Sequence, residues 1–228
     1  GKKAAAIAAA HLGAIGISSG RYAVVLDGAV MARFLGVFCG VFFAENVQKG
    51  FSLLAGKQGE KIAADCVCLR DDPLLAGGYA SMPFDSEGVP CRNKAVIEHG
   101  ILKTYLYNLK AAKKDGVAST GNGFKSALPA PVKTAATNFY LQKGARSQEE
   151  LLQEMGNGLW ITDITGLHAG ANTVSGDFSL SAEGFLVQDG AVGQPVEQIT
   201  IAGNFYELLQ RIEEVGSDLY FTSSGNGA

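Results

Sequence analysis

The sequence predicts an α+β fold in which antiparallel sheets dominate and a few helices pack against them. Three observations carry that class. Two strand–turn–strand signatures stand at residues 95–106 and 184–192, two capped amphipathic helices stand apart from them at 148–155 and 205–214, and the 30 glycines are scattered between apolar runs as turn residues are. With 228 residues, 47% of them hydrophobic and 18% charged, the chain has enough apolar material for one large core.

The Ala-rich start, Gly1 to Gly13, reads as the last turns of a helix closed by glycine, so residues 1–20 are assigned to the end of a preceding domain or a linker and 21–228 to one domain. Tyr22-Ala23-Val24-Val25-Leu26 is a buried strand, ended by a turn at Asp27-Gly28. From Met31 the apolar positions 31, 34, 35, 38, 41 and 42 recur at helical spacing, and Val37 and Phe43 widen the stripe over most of the circumference. A helix over 31–43 is therefore central or part of an interface. Residues 51–60 form a loop, Ala64–Leu69 a strand ended by Asp71-Asp72-Pro73, and 95–106 a hairpin turning at His99-Gly100. Ser147 and Glu150 make a capping box for the helix 148–155. Gly184–Val192 turns at Asp189-Gly190 and leads into a strand at Glu197–Ile201, and Asn204 with Glu207 caps the helix 205–214.

Composition removes several functions. The net charge is −3 and no basic run exceeds Lys113-Lys114, so no footprint for nucleic acid is present. The longest apolar run, Val30 to Ala44, is broken by Arg33 and followed by Glu45 and Lys49, which fits a buried helix and not a membrane span. Cysteines at 39, 66, 68 and 91 form no disulfide framework, and a reducing cytoplasm is the expected compartment.

Chemistry-bearing candidates are few. Histidines 11, 99 and 168 belong to no paired ligand motif and read as turn, cap or surface residues. Cys66 and Cys68 would share one strand face, but no further ligand is spaced to complete a tetrahedron. No nucleophile elbow is present, and Gly121-Asn122-Gly123 and Gly156-Asn157-Gly158 are turns and not phosphate cradles. The polar stretch Asp163 to Ser179 is long for a connection between strands, and two readings stand equally, a segment that lines a cleft and an ordinary surface loop.

Pro83-Phe84-Asp85-Ser86-Glu87-Gly88-Val89, Thr137-Asn138-Phe139-Tyr140-Leu141, Gly176-Asp177-Phe178-Ser179, Glu183-Gly184-Phe185 and Pro195 to Asn204 together resemble the TldD/PmbA family, in the family's order. The likeness runs from about Tyr22 to the end. It implies a C-terminal domain of large antiparallel sheets, and membership of a metalloprotease pair whose members also bear the label modulator of DNA gyrase. TldD-type members carry a H-E-x-x-x-H helix. The helix here that aligns with it is Leu35 to Asn46, which puts the two ligand histidines on Gly36 and Val41 and the base glutamate on Val37. None of these side chains binds zinc or moves a proton. A third ligand, a cysteine in the relatives, would align at or just past Ala228.

The resemblance therefore implies a TldE/PmbA-type subunit with no metal or other cofactor of its own. Zinc is expected in a TldD-type partner, and the substrate is expected to be a peptide or unfolded protein. The candidates for the substrate cleft are Asn138, Asp177 and Ser179. The particle is expected to be oligomeric, with no nucleic acid and no membrane as partner. Two alternatives remain, a homo-oligomeric regulatory protein without protease activity and a self-sufficient metalloenzyme that uses the cysteines.

Overall fold

The computed structural model describes Gly1 and residues 9–228. Along the chain, β1 (Val24–Leu26) leads into α1 (Gly28–Phe38), a 3-10 turn (Cys39–Phe42) and α2 (Ala44–Gln48). Next come β2 (Leu69–Asp71), β3 (Lys94–Glu98), β4 (Ile101–Leu102), α3 (Leu109–Asp115), β5 (Gly123–Phe124), β6 (Lys133–Thr134), β7 (Phe139–Leu141) and α4 (Gln148–Met155). The last part holds β8 (Gly158–Thr165), α5 (Leu167–Gly170), β9 (Asp177–Gln188), β10 (Ala191–Asn204), α6 (Phe205–Arg211) and β11 (Asn226–Gly227). One sheet has the order β1-β8-β9-β10 and another β11-β7-β2-β3-β4, and β5 pairs with β6. Among the described residues, the named strands pair antiparallel except β1 with β8 and β11 with β7, so the α+β class with mostly antiparallel sheets holds.

Helix α1 lies between the two sheets, against β8 on one side and β7 and β11 on the other. It begins three residues before the predicted Met31. The expected turn at Asp27-Gly28 is its N-cap, with the Asp27 carboxylate accepting from the Ala29 amide at 2.9 Å. The α-helix stops at Phe38 and tightens into the 3-10 turn, whose Gly40 carbonyl accepts from the Asn46 side chain at 2.8 Å. Three phenylalanines on this stretch anchor it. Phe34 meets Phe178 edge-on at 5.0 Å, Phe38 stacks on Phe205 at 4.5 Å, and Phe42 meets Phe139 at 5.8 Å. All three are fully buried, and each contributes about 1.5–3 kcal/mol through area removed from water. Arg33 leaves the apolar face without breaking it, because it donates to the Ile164 carbonyl at 3.0 Å and pairs with Asp163.

Several sequence boundaries shift for identifiable reasons. The strand predicted at 64–69 lies at Leu69–Asp71, because Val67 donates to the Ala64 carbonyl and closes a turn there, and the Ala64 amide donates to Leu209 of α6. The hairpin at His99-Gly100 forms, but β4 stops at Leu102 since Leu106 instead exchanges backbone bonds with Phe42 and Ala44. Helix α6 ends at Arg211 where 214 was expected, with the next residue, Ile212, extended and its carbonyl taken by the Cys66 thiol at 3.3 Å. Asn204 caps α6 as predicted, while Glu207 pairs with Arg211 and does not return to the cap. The strand at 197–201 is the second half of a single 14-residue β10. Helix α4 and its capping box match the prediction to the residue. Of the N-terminal helix, Ala9 and Ala10 are helical and Gly13 has a left-handed φ of 78°, and residues 2–8 lie outside the described ones.

A buried polar layer ties the second sheet to its loops. The Asp71 carboxylate, fully buried, accepts from Lys94 at 2.7 Å, from Asn122 at 2.8 Å, and from the Thr137 amide and hydroxyl at 2.6 and 2.8 Å. Asp85 accepts from the backbone amides of Glu87, Val89 and Gly123, which fixes the 85–89 loop on β5. Asp71→Ala leaves the Lys94 ammonium without its counter-charge and should cost about 3–5 kcal/mol in urea unfolding. Lys57→Ala, which breaks an exposed pair with Glu60, should cost about 0–1 kcal/mol. Equal costs for the two variants would remove the polar layer from the list of what holds the sheet.

Candidate functional site

The segments Gly176–Ser179 and Gly203–Asn204 meet where the β9–β10 hairpin joins α6. The Asn204 side chain does two things at once. Its oxygen accepts from the Tyr206 and Glu207 amides at the start of α6, and its amide donates to the Ser175 carbonyl at 2.8 Å and to Asp177 at 2.9 Å. Ser175 donates its hydroxyl to the other Asp177 oxygen at 2.8 Å. Gly176 has a φ of 86°, and a Cβ there would stand 2.6 Å from the Tyr206 ring, so both conformation and space require glycine. These contacts hold the exposed Asp177 carboxylate in one orientation and aim Phe178 onto Phe34.

Two hollows flank this knot. A small open one is lined by residues 169–173 and by Asp177, Phe178 and Ser179. A groove of about 1220 Å³ runs on the other side, with β1 and the segment before it as one wall and Gln198–Asn204 of β10 as the other. Phe178 lines both, and Phe34 and Met31 of α1 reach the groove. Of the polar stretch 163–179, residues 169–173 and 177–179 line a hollow, while Asp163 sits in β8. The structure brings Asp177 and Ser179 to one rim but not Asn138, which is 0% exposed and lines neither hollow. Asn138 instead accepts from the Ala80 amide and donates to the Asp72 carbonyl and the Ser81 hydroxyl, which clamps the 72–81 loop. As a residue facing a cleft it is corrected to a structural one. Gln198, Glu213 and Asp218 line the groove and were not among the sequence candidates. The acidic spacing Glu213-Glu214-x-x-x-Asp218 was a visible signal, whereas the left-handed φ of 55° at Gln198 had none.

The donor set does not fit a metal. Among the described residues no three His, Cys, Asp or Glu side chains are placed to hold an ion. The aligned ligand positions are apolar and closed. Val41 is buried, Val37 half-buried, and a Cβ on Gly36 would stand 3.1 Å from the Asn226 side-chain nitrogen of β11. The cysteines are no substitute. Burial, with the Asp71 charge adding to it, pushes the Cys39 thiol up to about 12, and burial raises Cys66 as well, so both are protonated at neutral pH. His99 lies beside Cys68, with Nδ1 3.9 Å from the thiol, His11 meets Phe185 with tilted rings 5.0 Å apart, and His168 is on α5, so the three histidines have separate surroundings.

The hydrogen bond from Asn204, and after it that from Ser175, holds the Asp177 carboxyl below the usual aspartate range. Its folded value lies below its unfolded one, so its contribution to stability is present above the ordinary aspartate pKa and lost as pH falls through the depressed value. Asn204→Ser keeps a capping oxygen and removes the amide donor. The Asp177 titration followed by carboxyl carbon NMR should then move up toward the ordinary value, and an unmoved midpoint would refute the assignment of Asn204 as the main cause.

Residues 19–228 match the family described as PmbA/TldA metallopeptidase C-terminal domain. A metalloprotease of Methanothermobacter thermautotrophicus is 34% identical over 202 residues, 88% of this chain and 44% of that protein. Metalloprotease PmbA of Escherichia coli O157:H7 is 32% identical over 89% of this chain and 42% of its own length. Among solved structures, a Thermotoga maritima protein labelled a modulator of a DNA gyrase superposes with a TM-score of 0.93 at 42% identity, covering 99% of this chain and 52% of that one. TldE of Thermococcus kodakarensis superposes at 0.89 with 29% identity, covering 99% and 51%. The chain thus spans about half the length of the relatives it matches. With fold, motif order and sequence in agreement, this chain belongs to the PmbA/TldD metallopeptidase family, and residues 19–228 are the family's C-terminal domain.

Proposed function

We propose that this chain acts as a TldE/PmbA-type subunit that carries no metal centre and supports peptide proteolysis by a TldD-type metalloprotease subunit in the cytoplasm. One observation carries the reading, namely that the aligned ligand positions are Gly36, Val37 and Val41, with Asn226 packed over Gly36. A side chain at position 36 would press on the Asn226 side chain, whose nitrogen would stand 3.1 Å from the added Cβ, so that side chain would have to shift. The relatives named PmbA and TldE support the same side of the family. Among the described residues no helix is long and apolar enough to cross a membrane.

The chemistry left to such a subunit is binding and orientation. Zinc in the TldD-type partner would supply the Lewis acid and the activated water. This chain would hold an extended peptide by main-chain hydrogen bonds at a sheet edge, which needs no reactive side chain. Asp177 and Ser179, on the rim beside β10, are the side chains proposed to touch substrate.

The gyrase-modulator label on the Thermotoga structure favours a second reading, a homo-oligomeric regulator without protease activity. That reading predicts a stable self-associated particle and no cleavage when the protein is mixed with a TldD-type subunit. Elemental analysis separates the possibilities. The expected result is no stoichiometric metal in the isolated protein and one zinc per heteromer after co-purification with a TldD-type subunit, together with peptide cleavage by the mixture alone. Stoichiometric zinc in the isolated protein would sink the proposal.

A further inference from the structure

The four-stranded sheet leaves two edges, β1 and β10, and both line the same groove. The β10 edge is not open along its whole length. Its hairpin half carries Pro195 and two register shifts, between Val192 and Pro195 and between Val196 and Ile199, and Ile15 exchanges backbone bonds with Pro195 and Glu197 there. Proline, bulges and a covering strand are the usual means of blunting an edge against unwanted pairing. The other half, Ile199–Gly203, has none of these and forms the groove wall. Its boundary is Gln198, a non-glycine residue held at a φ of 55°, where the strand is re-aimed by the second bulge.

The groove's size and charge narrow its occupant. At about 1220 Å³ it exceeds the range of roughly 300–1,000 Å³ usual for small molecules. Six acidic side chains line it against two arginines, Arg21 and Arg211, in a chain whose whole net charge is −3. Arg211 is engaged by Glu207, and Glu154 and Glu214 share Arg146. Exposed Glu213 and Asp218 have no ion-pair partner among the described residues. Open main-chain donors and acceptors beside an excess of carboxylates suit an extended polypeptide carrying positive charge.

We propose that the groove between β1 and the Ile199–Gly203 edge of β10 takes an extended peptide and selects for lysine- or arginine-bearing segments through Glu213 and Asp218. This rests on the reading of the chain as a peptide-handling subunit and adds the place and the charge preference. The test is fluorescence anisotropy of the protein with two labelled octapeptides of one apolar framework, one bearing three lysines and the other three glutamates. The lysine peptide should bind tighter, and its affinity should fall as salt rises from about 50 to 500 mM. Glu213→Gln with Asp218→Asn, both exposed, should weaken it roughly three- to tenfold without lowering the melting temperature. N-methylation of alternate peptide amides should abolish binding, since it removes the strand-pairing donors.

Equal affinity for the two peptides, or none of these losses, overturns the inference and leaves the subunit reading intact. Absence of binding by either peptide also overturns it, and assigns the groove to another part of the polypeptide or a partner subunit. Cleavage by the mixture with a TldD-type subunit decides the subunit reading separately.

Discussion

Burial of α1 on two opposite flanks is the constraint from which the rest of the structure follows. A helix that presents apolar side chains to β8 on one side and to β7 and β11 on the other has little surface left for water. Each sheet is positioned by a ring it places on that helix or on the 3-10 turn after it: Phe178 from β9 on Phe34, and Phe139 from β7 on Phe42. Phe205 does the same for α6 through Phe38. Interiors pack at the density of organic crystals, so these ring contacts leave no slack on the buried face of α1. Packing and metal chemistry compete for the same helix, and in this sequence packing holds positions 36, 37 and 41.

The segments that carry the family resemblance are, in this structure, mostly clamps. Asp85 gathers three backbone amides, Thr137 binds Asp71, Asn138 binds the 72–81 loop, and Asn204 joins Asp177 to the cap of α6. Each satisfies buried or strained backbone that no repeating ladder reaches, and an unsatisfied group in such a place costs about 1–3 kcal/mol. Motif preservation therefore follows from the fold and carries no information on whether the metal chemistry persists. That is why likeness in motif order is compatible with the proposed absence of a metal site in this chain.

What was legible in the sequence had short-range causes. Ser147 with Glu150, Asp189 with Gly190, and His99 with Gly100 each specify geometry within four residues, and the structure holds them where they were read. The misreadings had partners far along the chain. The end of the strand near Ala64 depends on Leu209, the end of β4 depends on Phe42 and Ala44, and the burial of Asn138 depends on Ala80 and Ser81. The groove was invisible for the same reason. Its walls are some 170 residues apart in sequence and become neighbours only through the order of the sheet. From the polar stretch 163–179 a cleft could be expected, and part of that stretch lines the small hollow, but the larger groove walled by a bulged edge strand could not.

An open strand edge recognises any peptide backbone, so it supplies affinity with little discrimination. Side chains around the edge must supply the discrimination. Among the described residues, the groove-lining charges that join no ion pair and cap no helix are the carboxylates of Glu213 and Asp218 against the single guanidinium of Arg21. Long-range attraction between an acidic groove and a cationic segment raises the rate of encounter, while the main-chain ladder sets how long the segment stays. The two contributions also respond differently to conditions, because salt screens the first and hardly touches the second. Under the proposed reading, a subunit built this way would contribute to proteolysis by binding alone. Neither the edge nor the carboxylates share residues with Gly36, Val37 or Val41, so the proposed peptide binding would not depend on what occupies positions 36, 37 and 41.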